Sequence, residues 1–151
     1  MAVGKKDSDS SEQSAAERFM LQELNRELGL SLSPQSVTIA GASTVKLDGL
    51  DLGNRVLCEA YARIGTLHGS QPDKVAGDVL KMLLVEKAKG GGWRKIYCFA
   101  DDAAAQNLRG RSWLADVACR FGVEVRVVSL PQHMRASVKA AQARQVMVNR
   151  R

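Results

Sequence analysis

From residue 14 to 28 apolar side chains recur at helical spacing. Phe19, Leu24 and Leu28, with Met20 and Leu21 beside them, give one broad apolar face that Gly29 ends, which predicts a first helix. Pro34 forces an extended start, so residues 36–40 read as a strand broken by Gly41-Ala42, and 44–47 as a second strand. Asp51-Leu52-Gly53-Asn54 is turn chemistry, and 56–64 reads as a third strand before a loop over 65–72. Val75, Val79, Met82 and Leu83 fall at i, i+4, i+7 and i+8, the core face of a helix over 73–89 that Gly90-Gly91-Gly92 closes.

Residues 95–100 are nearly continuous apolar sequence, as in a central strand covered on both faces. A helix over 102–120, with Leu114, Val117, Ala118 and Phe121 on one face, a strand over 123–130 and a basic helix from Pro131 to about Arg144 complete the chain. The order is helix, three-strand meander, helix, strand, helix, strand, helix. Its hairpin half is antiparallel and its strand-helix-strand half implies a right-handed parallel crossover. The expected fold is an α/β domain over 14–145, a mixed five-stranded sheet flanked by helices. A polar, Ser-rich tail over 1–13 reads as disordered, and 146–151 as a basic tail.

At 151 residues the chain can bury about two thirds of its unfolded surface. No apolar stretch approaches the roughly 20 residues that cross a bilayer, and no apolar block follows Lys5-Lys6. A cytoplasmic protein without a membrane partner is expected. Cys58, Cys98 and Cys119 are widely spaced in apolar contexts, which predicts buried free thiols, and neither they nor His68 and His133 make a metal cluster. The net charge of +6 is uneven: Arg135, Lys139, Arg144, Arg150 and Arg151 lie in a stretch without an acid. That suits a polyanion such as DNA, because phosphate contacts release counterions; a solvated basic helix is the plainer alternative.

Two acids stand out against this background. Asp48 follows an apolar run in VKLDGL, and Glu59 sits inside another in VLCEAYA. Burying a carboxylate is costly unless it is paired, hydrogen-bonded or bound to metal. Alternation puts Leu57, Glu59 and Tyr61 on one face, and Lys46 and Asp48 on one face of the preceding strand. A hairpin in register lets the two acids approach where the strands diverge, and Mg²⁺, which needs only one or two carboxylates, relieves their repulsion. Plainer readings stand beside this: Asp48-Gly49 is also a turn dipeptide, Glu59 can pair with Lys46 or Arg55, and Lys74 can be a solvated helix residue.

The order of elements, with VKLDGL and VLCEAYA in place, resembles the PD-(D/E)XK nuclease superfamily, the restriction-endonuclease-like fold, over about residues 15 to 130. The resemblance implies that Asp48 and Glu59 bind Mg²⁺ or Mn²⁺, with the Ala60 carbonyl as a third ligand and Glu23 as the first-helix acid of some branches. Glu27, one turn on, is nearly as eligible. The chain departs from the pattern at Tyr61, where the lysine of the motif is expected. A phenol with pKa near 10 stabilises negative charge poorly. Some branches supply the lysine from the following helix, and Lys74 is then the candidate, with Lys81 two turns later on the same face.

Other segments carry less. Arg109-Gly110-Arg111-Ser112-Trp113 either sets two guanidinium groups on phosphates or is a helix surface with Trp113 as a core anchor. Asp101-Asp102 is a helix cap or a second acidic site. The expected function is Mg²⁺-dependent hydrolysis of DNA phosphodiesters by Asp48, Glu59 and Lys74, with Arg109, Arg111, Arg135 and Lys139 on the DNA backbone. The alternatives are a catalytically degenerate nucleic-acid-binding module and a Rossmann-like small-molecule domain, which no Gly-x-Gly-x-x-Gly sequence supports. Small domains of this class often pair, so a homodimer is a further expectation, although no segment marks its surface.

Overall fold

A computed structural model describes residues 11–41 and 43–149. Its elements are α1 (Ser11–Leu28), β1 (Ser33–Thr38), β2 (Thr44–Asp51), β3 (Val56–Tyr61), α2 (Gln71–Ala88), β4 (Arg94–Phe99), α3 (Asp102–Arg109), α4 (Trp113–Arg120), β5 (Val123–Val127) and α5 (Gln132–Asn149). The strands lie in chain order in one sheet. β1, β2 and β3 are antiparallel neighbours, while β3, β4 and β5 are parallel. The α/β class and the five-stranded mixed sheet are as the periodicity predicts.

Alternation along β3 divides the interior into two layers. Leu57 and Tyr61 join Tyr97, Phe99 and the apolar faces of α2, α3 and α4, including Val75, Val79, Met82, Leu108 and Leu114. Val56, Cys58 and Ala60 face the other way, onto Ala16, Met20 and Leu24 of α1 and Val138 of α5. Every residue of β3 is buried, as expected of a strand covered on both faces. Glu59 therefore lies on the α2 side.

Several expectations are corrected. The tail predicted over 1–13 is helical from Ser11, and its first ten residues lie outside those described. The basic tail predicted from 146 is part of α5 through Asn149, with Arg150 and Arg151 outside the described residues. The helix predicted over 102–120 is two helices, which makes five among the described residues. Ser112 caps α4 by accepting the Ala115 N–H at 3.1 Å and donates to Asn107 O at 3.2 Å. A Cβ at Gly110 would stand 2.8 Å from Gln106 O, which marks the break as a glycine position. The new orientation leaves Trp113 71% and Phe121 57% exposed, so neither anchors the core. Cys119 is exposed, unlike Cys58 and Cys98. No described helix is long and apolar enough to cross a membrane.

β2 is longer than predicted and runs straight through Asp48-Gly49, so that dipeptide is not a turn. It is a bulge instead. Ser33 pairs with Leu50 and Gln35 with Leu47, which sets Asp48 and Gly49 opposite Pro34 alone. Pro34 is tolerated because β1 is an edge strand. A Cβ on Gly49 would lie 3.1 Å from Leu21, 3.2 Å from Cys58 and 3.3 Å from Leu32, so glycine lets α1 close over the bulge. Overpacking of this kind costs about 1–3 kcal/mol. Gly49→Ala is expected to lower the urea-unfolding free energy by about that amount; an unchanged midpoint would show that α1 does not seat tightly there.

Candidate active site

The bulge ends the β2–β3 ladder. Pairing runs through Asp51–Val56 and Leu50–Leu57 and stops at Gly49–Cys58. Beyond that point β3 needs other acceptors for its buried amides. Side chains from three elements provide them at alternate residues. Asp48 Oδ2 accepts Ala60 N–H at 2.9 Å, Glu17 Oε2 accepts Ala62 N–H at 3.0 Å, and Gln142 Oε1 accepts Ile64 N–H at 2.8 Å. Asp48 is thereby fixed at the gap where β2 leaves β3, and Glu17 of α1 is brought beside it. A strand residue points its N–H and C=O to the same side, which places the Ala60 carbonyl on the Asp48 side.

Glu59, 1% exposed, meets this gap from the α2 face. The Asp48 carboxyl acts on that of Glu59 both as a hydrogen-bonding neighbour and as a like charge. Burial, the shared hydrogen bond and the charges of Asp48 and Asp78 raise the Glu59 pKa to about 10, against the opposing pull of Lys81. The Lys81 ammonium is 3.1 Å from Glu59 Oε1, closer than either Lys46 or Arg55 of the plainer reading, for which the described residues show no pairing. The contact is an ion pair, and buried Oε1 takes no well-aligned hydrogen bond. Burial and the neighbouring acids favour the protonated form of Glu59.

Lys74 does not reach the carboxyl pair. Its ammonium bonds Asp78 Oδ2 at 3.0 Å and sits 4.8 Å from the Tyr61 ring centroid. Asp78, buried on the inner face of α2, also accepts from Tyr97 Oη at 2.7 Å and lies 3.4 Å from the Lys81 ammonium. Burial opposes both ammonium charges, but Asp78 beside Lys74, and Glu59 with Asp78 beside Lys81, outweigh it and raise both pKa values. Residues 74, 78 and 81 share one helix stripe by their i+4 and i+3 spacing. Tyr61, buried, has a raised pKa and stays a neutral phenol.

The first-helix acid expected at Glu23 is elsewhere. Glu23 pairs with Arg26 on an outer face of α1, and so does Glu27, at 3.9 Å. Glu17, which the sequence does not single out, is the α1 acid that lies near Asp48. It takes Gln13 Nε2 at 3.1 Å as well as the Ala62 amide. Burial, with Asp48 adding, raises its pKa to about 7. Of the four expected phosphate contacts, Arg135 and Lys139 line a cleft with Arg63 and Gln142 at the end of β3. Arg109 donates to Val125 O at 3.1 Å, at the far edge of the sheet, and Arg111 is exposed in the α3–α4 turn. Asp101 stands at the N-cap of α3 without capping it; its oxygens take Gly65 N–H at 2.8 Å and Arg135 Nη1 at 3.1 Å.

Among the described residues no group of three or more His, Cys, Asp or Glu side chains stands close enough to hold a metal ion. The site offers a pair of carboxyl groups with one orphaned oxygen. Those are hard donors in the number Mg²⁺ or Mn²⁺ takes when waters fill its remaining positions. Comparison with family models, with curated proteins and with solved structures returns no match for the chain.

Glu17 and Glu59 both hold protons in the folded state above pH 4.5, where the unfolded chain has lost them. Unfolding then releases protons, and stability falls as pH rises. The Glu17 contribution is exhausted near pH 7, while that of Glu59 declines on toward 10. Urea midpoints are expected to drop steadily from pH 5 to 8. Glu17→Gln, which keeps an acceptor for Ala62, is expected to flatten the part below pH 7; the same slope in wild type and variant would contradict the assignment.

Proposed function

We propose that the chain is a metal-dependent nuclease of the restriction-endonuclease-like class, hydrolysing DNA phosphodiester bonds at the Asp48–Glu59 pair. One observation carries the reading: two carboxyl groups from neighbouring strands converge at an interrupted ladder, and the buried Oε1 of one, Glu59, has the Lys81 ammonium 3.1 Å away without a well-aligned hydrogen bond. Charge balance supports it. Glu17, Asp48, Glu59 and Asp78 against Lys74 and Lys81 leave two negative charges when all are ionised, which one divalent cation neutralises.

Asp48 and Glu59 would hold Mg²⁺ or Mn²⁺, with the Ala60 carbonyl on the same side. When bound, the ion supplies Lewis acidity to a phosphate oxygen and lowers the pKa of a bound water. The chain's own groups divide the rest. Lys81, rather than Lys74, takes the place of the motif lysine and holds positive charge where negative charge builds on phosphorus. Asp78, anchored by Tyr97, orients Lys81 and keeps Lys74 over the Tyr61 ring. Glu17 stands beside Asp48 as the first-helix acid. Tyr61 can donate a hydrogen bond but supplies no charge.

A second reading is a binding module with a lapsed site, favoured by Tyr61 and by the raised pKa of Glu59, which keeps that carboxyl neutral. Incubation with supercoiled plasmid or branched DNA and Mg²⁺ or Mn²⁺ separates the two. Cleavage is expected, lost on Asp48→Asn or Glu59→Gln and reduced about 10²–10³-fold in kcat by Lys81→Met, with circular dichroism unchanged. DNA binding without cleavage under any of these conditions would select the binding module.

A further inference from the structure

We infer that the cleft between Arg63 and α5, at the end of β3, is a phosphate-binding subsite for the DNA backbone. The inference rests on the nuclease reading for its substrate, but not for its anion chemistry. Arg63 lies two residues beyond Tyr61, where the chain leaves β3, and the cleft it lines lies at that end of the strand.

Arg63 is half-buried, and its Nε is wholly buried without a hydrogen-bond partner. Among the described residues it makes no ion pair. A guanidinium that lines a cleft without a carboxylate partner is suited to an anion. Lys139 on α5 likewise has no acidic partner among the described residues. Arg135, four residues before it, is tethered to Asp101. Three cations against one carboxylate leave the cleft with two positive charges.

The frame is already rigid. Gln142 accepts from Ile64 N–H at 2.8 Å and donates to Ile64 O at 3.1 Å, and Asp101 takes Gly65 N–H at 2.8 Å. The backbone that follows Arg63 is thus pinned to α5 and to the end of β4, and Arg63 is pre-organised for its ligand. The cleft measures about 470 Å³, within the range of small-molecule pockets.

Fluorescence anisotropy of a labelled ten-nucleotide single-stranded DNA, with the full chain in EDTA and low salt, tests this without requiring catalysis. Arg63→Gln and Lys139→Gln are each expected to weaken binding about tenfold. Arg63→Lys is expected to retain most of the affinity, and Lys87→Gln, on the far side of α2, to change it less than about twofold. Inorganic pyrophosphate is expected to compete with the strand. No binding by wild type, or affinities of Arg63→Gln and Lys139→Gln equal to that of Lys87→Gln, would overturn the subsite. Arg63-dependent binding without cleavage in Mg²⁺ would leave the subsite and remove the nuclease reading. Cleavage whose KM ignores both substitutions would do the reverse.

Discussion

The premature end of the β2–β3 ladder is the constraint on which the rest of the site depends. A buried strand cannot leave its amides unpaired, and once Asp48-Gly49 bulges opposite Pro34, β3 loses its neighbour after Cys58. Asp48, Glu17 and Gln142 answer that need from β2, α1 and α5. Each takes an amide for a reason of backbone economy, and together they draw three elements to one end of one strand. The candidate chemistry is a by-product of closing that edge.

The electrostatics follow from the same geometry. Glu59 projects from the covered face of β3, so it meets Asp48 on one side and Lys81 of α2 on the other. Burial and like charge raise its pKa; Lys81 moderates the shift without supplying a well-aligned hydrogen bond to Oε1. Asp78 separates the two lysines and is itself held by the Tyr97 hydroxyl. A buried network of this kind adds little net stability by itself. What it fixes is the Lys81 ammonium beside Glu59 and the Lys74 ammonium over the Tyr61 ring, in a layer that is otherwise mainly apolar.

Much of this was legible in the sequence, and the failures have physical causes. An acid among Leu57, Cys58, Ala60 and Ala62 announces itself, because burial without a partner is costly. Asp48 was legible as its hairpin neighbour, but the bulge was not, since it is defined by register against Pro34 rather than by any local residue. Glu17 escaped because α1 carries several acids and the helix phase that aims one at β3 depends on packing. Asp78 was hidden for the same reason within α2. The helix break before α4 left a usable signal, Gly110 followed by a serine cap, which the apolar periodicity of Leu114, Val117 and Ala118 overrode. Trp113 was then assigned inward by size, yet the shorter helix points it outward.

The central claim is that Asp48 and Glu59 share one divalent cation. Isothermal titration calorimetry of Mn²⁺ into the full chain at pH 7 tests it most directly, since ionising Glu59 on binding also releases a proton that a change of buffer reveals. The account predicts one ion per chain, buffer-dependent heat, and loss of both in Asp48→Asn and Glu59→Gln. Absence of binding in wild type, or binding unchanged by either substitution, would contradict it.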